Sequence, residues 1–273
     1  MTLESKTTPV EGYDVHCWEG GSGFPVLMLH GVGPGTSIMG NFEPVMEPMA
    51  ERYCVLAADL IGFGGSARKT QEPFFDVDLW VRQGLALLDQ LPGDEFGIAG
   101  HSMGGALSLK IAAADNRVTR VMTSSTVGTS YTLTGALDAF WSLPADRDEL
   151  RAAMSAMVYD PAAVTDAMIE GRWDLLAQDG YDEYFGSMFG GDRQRYIDAG
   201  KVTDAELDAL NDRGVNIAMI HGTDDHPCPA ELTSAKLAER LHNATVTMIE
   251  NCGHNLPREY STEYLRVAFH LFG

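Results

Sequence analysis

Short apolar runs, four to seven residues long, recur along the chain between glycine, proline and acidic residues: 26–30 (VLMLH), 53–59 (YCVLAAD), 96–99, 118–123, 215–221 and 245–249. Runs of this length bounded by turn formers read as buried strands. The stretches between them carry a different period. Across 76–91, Val77, Trp80, Val81, Gly84, Leu88 and Leu91 fall on one helical face, and 102–114 (SMGGALSLKIAAA) reads as a helix opening on small residues. Strands alternating with amphipathic helices predict an α/β class with a mostly parallel sheet.

That alternation stops between 125 and 212. Strand patterns vanish there, and Met, Trp, Tyr and Phe appear among helix formers, as in DELRAAMSAMVY and AAVTDAMIEGRWDLLAQ. An ordinary connection in such a sheet is far shorter. The segment therefore reads as an inserted helical lid over the carboxyl ends of the strands, where open α/β sheets bind ligands. Residues 1–124 and 213–273 would form the core. Trp141, Met157, Trp173, Phe185, Met188 and Phe189 are expected chiefly to form the lid's own core, with one or two facing a ligand. Met39 and Phe42 stay open between the two roles.

Composition narrows the partners. The 273-residue chain has a formal net charge of −20 and 45% hydrophobic residues. No basic face is visible for nucleic-acid phosphates or an anionic membrane surface. An anionic substrate would need a local positive group to enter this field. The four cysteines, Cys17, Cys54, Cys228 and Cys252, show no CxxC pair, so reduced thiols in the cytoplasm are expected. Neither a signal peptide nor a membrane-spanning run is apparent.

The chemistry-bearing signal is Gly100-His101-Ser102-Met103-Gly104, a G-x-S-x-G between a strand pattern and a helix pattern. A sharp turn there exposes the serine hydroxyl at a helix N-terminus, where free N–H groups favour developing negative charge. A serine hydroxyl is a weak nucleophile until an imidazole takes its proton and an acid fixes that imidazole's tautomer. After the next-to-last strand comes His221-Gly222-Thr223-Asp224-Asp225-His226, and after the last comes Asn251-Cys252-Gly253-His254. Ser102, Asp225 and His254 thus form a candidate triad, with Asp224 an alternative acid. In His30-Gly31-Val32-Gly33-Pro34-Gly35, glycines let backbone N–H groups approach a ligand, so Val32 and Met103 are the expected oxyanion donors. The segment 59–66 (DLIGFGGS) is assigned a structural role. The histidines lack metal-ligand spacing such as HxxxH, so no metal or organic cofactor is expected.

These motifs resemble the α/β-hydrolase family throughout the chain: an eight-stranded-type, mostly parallel sheet with a helical lid. In detail the sequence is similar to the meta-cleavage-product hydrolases, which split a C–C bond in 2-hydroxy-6-oxo-dienoates. The matching segments are HGVGPG followed by Asn41, the GxSMGG elbow, and the lid stretch IEGRWDLLAQDGYDEYFGSMF. The resemblance implies that Asn41 and Arg172 hold the dienoate's carboxylate end, and a dimer or larger assembly. A guanidinium offers carboxylate a bidentate fork. Two positions depart from the family: His101 stands where asparagine is usual, and Asn255 where tryptophan is usual. Both belong to the polar subsite for the dienoate. Their replacement tilts the expectation toward ester hydrolysis of a small carboxylate-bearing substrate, with C–C cleavage as the alternative. A cofactor-free dioxygenase or perhydrolase on the same triad is a further class, separable by oxygen dependence. A binding module is the remaining class, and such proteins usually lose a triad member.

Overall fold

The computed structural model describes residues 3–273. Eight strands form one sheet: β1 (Glu4–Val10), β2 (Tyr13–Gly20), β3 (Pro25–Leu29), β4 (Cys54–Ala58), β5 (Phe96–His101), β6 (Val118–Ser124), β7 (Asn216–Gly222) and β8 (Ala244–Ile249). Their order is β1-β2-β4-β3-β5-β6-β7-β8. From β4 to β8 all pairings are parallel; β1 and β2 form an antiparallel hairpin whose second strand runs antiparallel to β4. Every residue of β3 and β5 is buried, as expected of strands covered on both faces. The hairpin lies outside the apolar pattern. β1 (ESKTTPV) is a largely exposed edge strand, and exposure there requires no apolar run.

Helices cover both faces. α1 (Ile38–Ala50) packs on β4, while α2 (Val77–Leu88) and α3 (Met103–Ala114) lie on the opposite side. Asp76 caps α2 by accepting from Leu79 N–H at 2.9 Å. Its buried face includes Val77, Trp80, Gly84 and Leu88, while the helix stops short of Leu91. Between β6 and β7 come six helices: α4 (Gly135–Phe140), α5 (Arg147–Ser155), α6 (Asp166–Leu176), α7 (Tyr181–Met188), α8 (Gln194–Gly200) and α9 (Asp204–Asp212). The last of these rests on α3, tied by Lys110 to Glu206 at 3.1 Å. Trp141, Phe185 and Phe189 pack with Tyr181 and Tyr196 in one aromatic cluster, joined by buried Met188. Three short or terminal helices close the chain: α10 (Ser234–Ala238), α11 (Leu256–Glu259) and α12 (Ser261–Phe272), the last packing on β6 and β7 with α1 beside it.

All four cysteines are free thiols, three of them buried. Burial pushes the Cys17 thiol up to about 12, which leaves it unreactive near neutral pH. No helix among the described residues is long and apolar enough to cross a membrane.

Candidate active site

The strand-to-helix turn at Ser102 sets the geometry. Ser102 ends β5 and opens α3 at φ 54° and ψ −118°, outside the wells an L-residue ordinarily occupies. Such a backbone costs on the order of 1–3 kcal/mol and persists only when its surroundings over-determine it. Here they do. Ser102 N–H donates to Ser124 O at 2.9 Å on the neighbouring strand, and Ser102 O accepts from Gly105 N–H at 3.0 Å. The flanking glycines allow the sharp turn: a Cβ on Gly104 would lie 2.2 Å from Leu29 O, and one on Gly100 the same distance from Gly104 O.

Gly31 faces the serine from the loop after β3. A Cβ at Gly31 would sit 2.8 Å from Ser102 Cβ and 3.4 Å from Ser102 Oγ, so only a bare backbone passes there. Gly31 N–H donates to Asn41 Oδ1 at 3.0 Å, which pins this loop to α1. The N–H groups of Val32 and Met103 have no acceptor among the described residues, leaving two donors beside Ser102 for a ligand. The loop is held from behind by Asp59. Its carboxylate accepts from Ile38 N–H at 2.6 Å, Gly65 N–H at 2.9 Å and His16 Nδ1 at 2.8 Å. Gln83 and Trp80 of α2 fasten the adjoining turn through Asp59 O and Ile61 O, each at 2.9 Å. The segment 59–66 is thus an anchor for the site's floor.

His254 and Asp225 meet after β8 and β7. His254 Nδ1 lies 2.8 Å from Asp225 Oδ2, and Cys228 N–H donates to Asp225 Oδ1 at 2.9 Å. Asp224 points elsewhere, accepting from its neighbour Thr223 at 2.8 Å. Burial opposes charge on both partners, yet their mutual attraction outweighs it. The Asp225 carboxyl is held far below the usual carboxylate range by His254 and His221, and the His254 pKa is raised well above an ordinary histidine by Asp225. With Nδ1 committed to Asp225, Nε2 is the nitrogen left for chemistry. His221, absent from the sequence-based site, braces the acid: its Nε2 donates to Cys228 O at 2.9 Å with Asp225 Oδ2 3.0 Å away. The i,i+4 spacing between His221 at the end of β7 and Asp225 in the loop after it was its only signal.

His101 is buried behind the serine. Its Nδ1 lies 3.1 Å from Ser124 Oγ, and its ring centroid 5.0 Å from that of His254. Burial, reinforced by His254, drives its pKa well down, so the ring is uncharged near neutral pH. Asn255 Oδ1 is buried without a partner among the described residues.

Ser102, His254, His101, Val32, Asn41, Arg172 and Asn255 all line one cavity of about 530 Å³. Arg172 reaches it from α6, where Ile169, Arg172 and Leu176 share the inward face. Its guanidinium donates to Thr36 Oγ1 at 2.6 Å and lies 5.3 Å from the Phe140 ring centroid. Burial lowers its pKa to about 10, so it stays cationic near neutral pH, and no carboxylate among the described residues pairs with it. The apolar wall comes from Leu137, Phe140, Met154, Met157 and Met168. Of the candidate lid aromatics and methionines, only Met157 lines the cavity; Met39 also lines it, whereas Phe42 is buried against His101 and Tyr264. Asp225, Cys228 and His254 bring donor atoms within 4.8 Å of one another. A cation there would have to break the His254–Asp225 hydrogen bond, so the set is poorly suited to hold one.

Residues 26–267 match the Alpha/beta hydrolase family. The chain is 32% identical over 261 residues to a 2-hydroxy-6-oxo-2,4-heptadienoate hydrolase of Pseudomonas putida, covering 94% of this chain and 92% of that one. It is 31% identical over 254 residues to a 2-hydroxymuconate semialdehyde hydrolase of a Pseudomonas species, covering 93% and 88%. A solved meta-cleavage product hydrolase from Pseudomonas fluorescens superposes with a TM-score of 0.90 at 28% identity, covering 97% and 96%. The protein is therefore an enzyme of the alpha/beta hydrolase family, similar over nearly all of its length to hydrolases named for 2-hydroxy-6-oxo-2,4-heptadienoate, 2-hydroxymuconate semialdehyde and meta-cleavage products.

Proposed function

We propose that this hydrolase cleaves the C–C bond of a 2-hydroxy-6-oxo-dienoate of the kind formed when aromatic rings are opened. The observation that carries the reading is Arg172, a cation without a carboxylate partner on the wall of the cavity that holds Ser102. The names of the relatives support the same substrate class. The preference for an ester drawn from His101 and Asn255 is revised accordingly, because neither residue removes the carboxylate anchor or the triad.

In this mechanism Arg172 and Asn41 seat the carboxylate, and the dienol isomerises to its keto form with a proton added at C5. Ser102 Oγ then attacks the C6 carbonyl while His254 Nε2 takes its proton. The oxyanion is stabilised by the N–H groups of Val32 and Met103. Collapse breaks C5–C6, its electron pair drawn through the conjugated double bond onto the C2 oxygen. The C2 oxygen takes the proton held on His254 and the 2-hydroxydienoate leaves; water, deprotonated by the now neutral His254, then releases the acid from Ser102. One water is consumed, and a five-carbon 2-hydroxydienoate and a carboxylic acid leave. Asp225 holds His254 in the required tautomer, and no metal or organic cofactor takes part. The helices of 125–212 act as the lid that keeps bulk water from the keto intermediate.

Turnover of a panel containing a 2-hydroxy-6-oxo-dienoate, aromatic monoesters and p-nitrophenyl esters tests this reading. The expected result is the highest kcat/KM on the dienoate. Ester turnover exceeding dienoate turnover would restore the ester reading, which the departures at His101 and Asn255 favour.

A further inference from the structure

Two arginines, not one, line the cavity. Arg258 lies on α11, three residues beyond Asn255, and its side chain is 16% exposed. It donates to Glu43 Oε2 at 2.8 Å and to Met39 O at 3.3 Å. Arg258 and Arg172 are close enough that Arg258 disfavours the charge on Arg172. Glu43, the one carboxylate on the cavity wall, is 57% exposed, so it can rotate into solvent at little cost. Asn255, with its buried amide oxygen unpaired, stands beside them.

Two guanidinium groups, of which only Arg258 has an acidic partner, make a wall with an excess of positive charge in a chain whose net charge is −20. A single carboxylate needs only Arg172. We infer that Arg258 is a specificity-determining residue that leaves Glu43 and binds the oxygen next to the carboxylate in 2-hydroxy and 2-oxo acids. The inference deepens the proposed function, since a 2-hydroxydienoate carries that oxygen at C2. Glu43 is the counter-ion that holds Arg258 in place before substrate arrives. Arg172 takes the carboxylate, Arg258 the adjacent oxygen, and the two contacts fix which way the dienoate lies relative to Ser102.

Binding of unreactive probes tests this independently of turnover. Isothermal titration calorimetry would compare 2-oxopentanoate with pentanoate on the intact protein. A charge-assisted hydrogen bond to the extra oxygen predicts about tenfold tighter binding of the oxo acid. Arg258→Met should abolish that ratio while pentanoate still binds, Arg258→Lys should restore part of it, and Glu43→Gln should increase it by removing the competing carboxylate. Circular dichroism checks that each variant is folded. A ratio near one in the unmodified protein, equal weakening of both acids by Arg258→Met, or no binding of either acid would overturn the assignment. Because neither probe is cleaved, failure of dienoate turnover with the binding ratio intact would count against the proposed reaction alone.

Discussion

His254 Nδ1 lies 2.8 Å from Asp225 Oδ2, and both side chains are almost wholly withdrawn from solvent. Asp225 is held by two further contacts, from Cys228 N–H and from His221 Nε2, so it cannot swing away to serve another partner. Asp224, its immediate neighbour, turns to Thr223. One residue of register separates a buried acid from a half-buried one.

Asp225→Asn is therefore expected to lower kcat by about four orders of magnitude, the scale seen when a triad acid loses its charge. Asp224→Asn is expected to stay within a few-fold of the unmodified enzyme. Ser102→Ala and His254→Ala should fall to the residual rate set by binding and the oxyanion donors. Steady-state kinetics on one substrate, with circular dichroism for fold, compares all four variants.

The pH dependence follows from the same pair. His254 acts as a base only when deprotonated, and Asp225 raises its pKa well above the ordinary histidine value. The logarithm of kcat/KM should consequently rise with pH up to that raised pKa and then level off. Removing the carboxylate charge in Asp225→Asn lowers the pKa of His254, so the residual activity of that variant should have its acidic limb at lower pH. His101, already uncharged near neutrality, should add no second limb there. A limb that stays put in Asp225→Asn would detach it from His254.

Gly31→Ala should strike activity harder than stability. The new methyl would stand 2.8 Å from Ser102 Cβ, displacing either the serine or the loop that carries Val32 N–H. Shifts well under an ångström at reacting atoms cost large factors in rate. The expected outcome is a loss of kcat of at least about a hundredfold with KM little changed, measured beside the urea midpoint.

Arg172→Ala should weaken carboxylate-bearing substrates selectively. Loss of one charge-assisted hydrogen bond costs about 1.5–3 kcal/mol, or roughly ten- to a hundredfold in kcat/KM. Neutral esters of similar size should be affected far less. Equal losses on both substrate types would assign Arg172 to packing against Phe140 and Thr36.

The sequence by itself determined the elements whose patterns are local. Apolar runs such as 26–29 and 96–99 mark strands buried on both faces, because an unpaired polar side chain is costly there. The Gly100–Gly104 turn declares Ser102 because only small residues fit where the strand passes into the helix. Chain order then placed Asp225 and His254 after their strands. The edge strand β1 escaped notice because an exposed strand carries no apolar signature.

What depended on distant parts of the chain meeting in space was decided only by the tertiary structure. Asp224 and Asp225 are chemically identical in sequence; the path of the loop after β7 determines which reaches His254. Arg172 and Arg258, 86 residues apart by number, line one cavity because α6 and α11 both pack beside α1. Most of the aromatic side chains expected to build the core of 125–212 filled its interior instead of the cavity, which took Leu137, Phe140, Met154 and Met168. Apolarity drives both kinds of residue out of water equally, so composition alone cannot tell a core from a binding wall. Only the packing of helix against sheet assigns each its side.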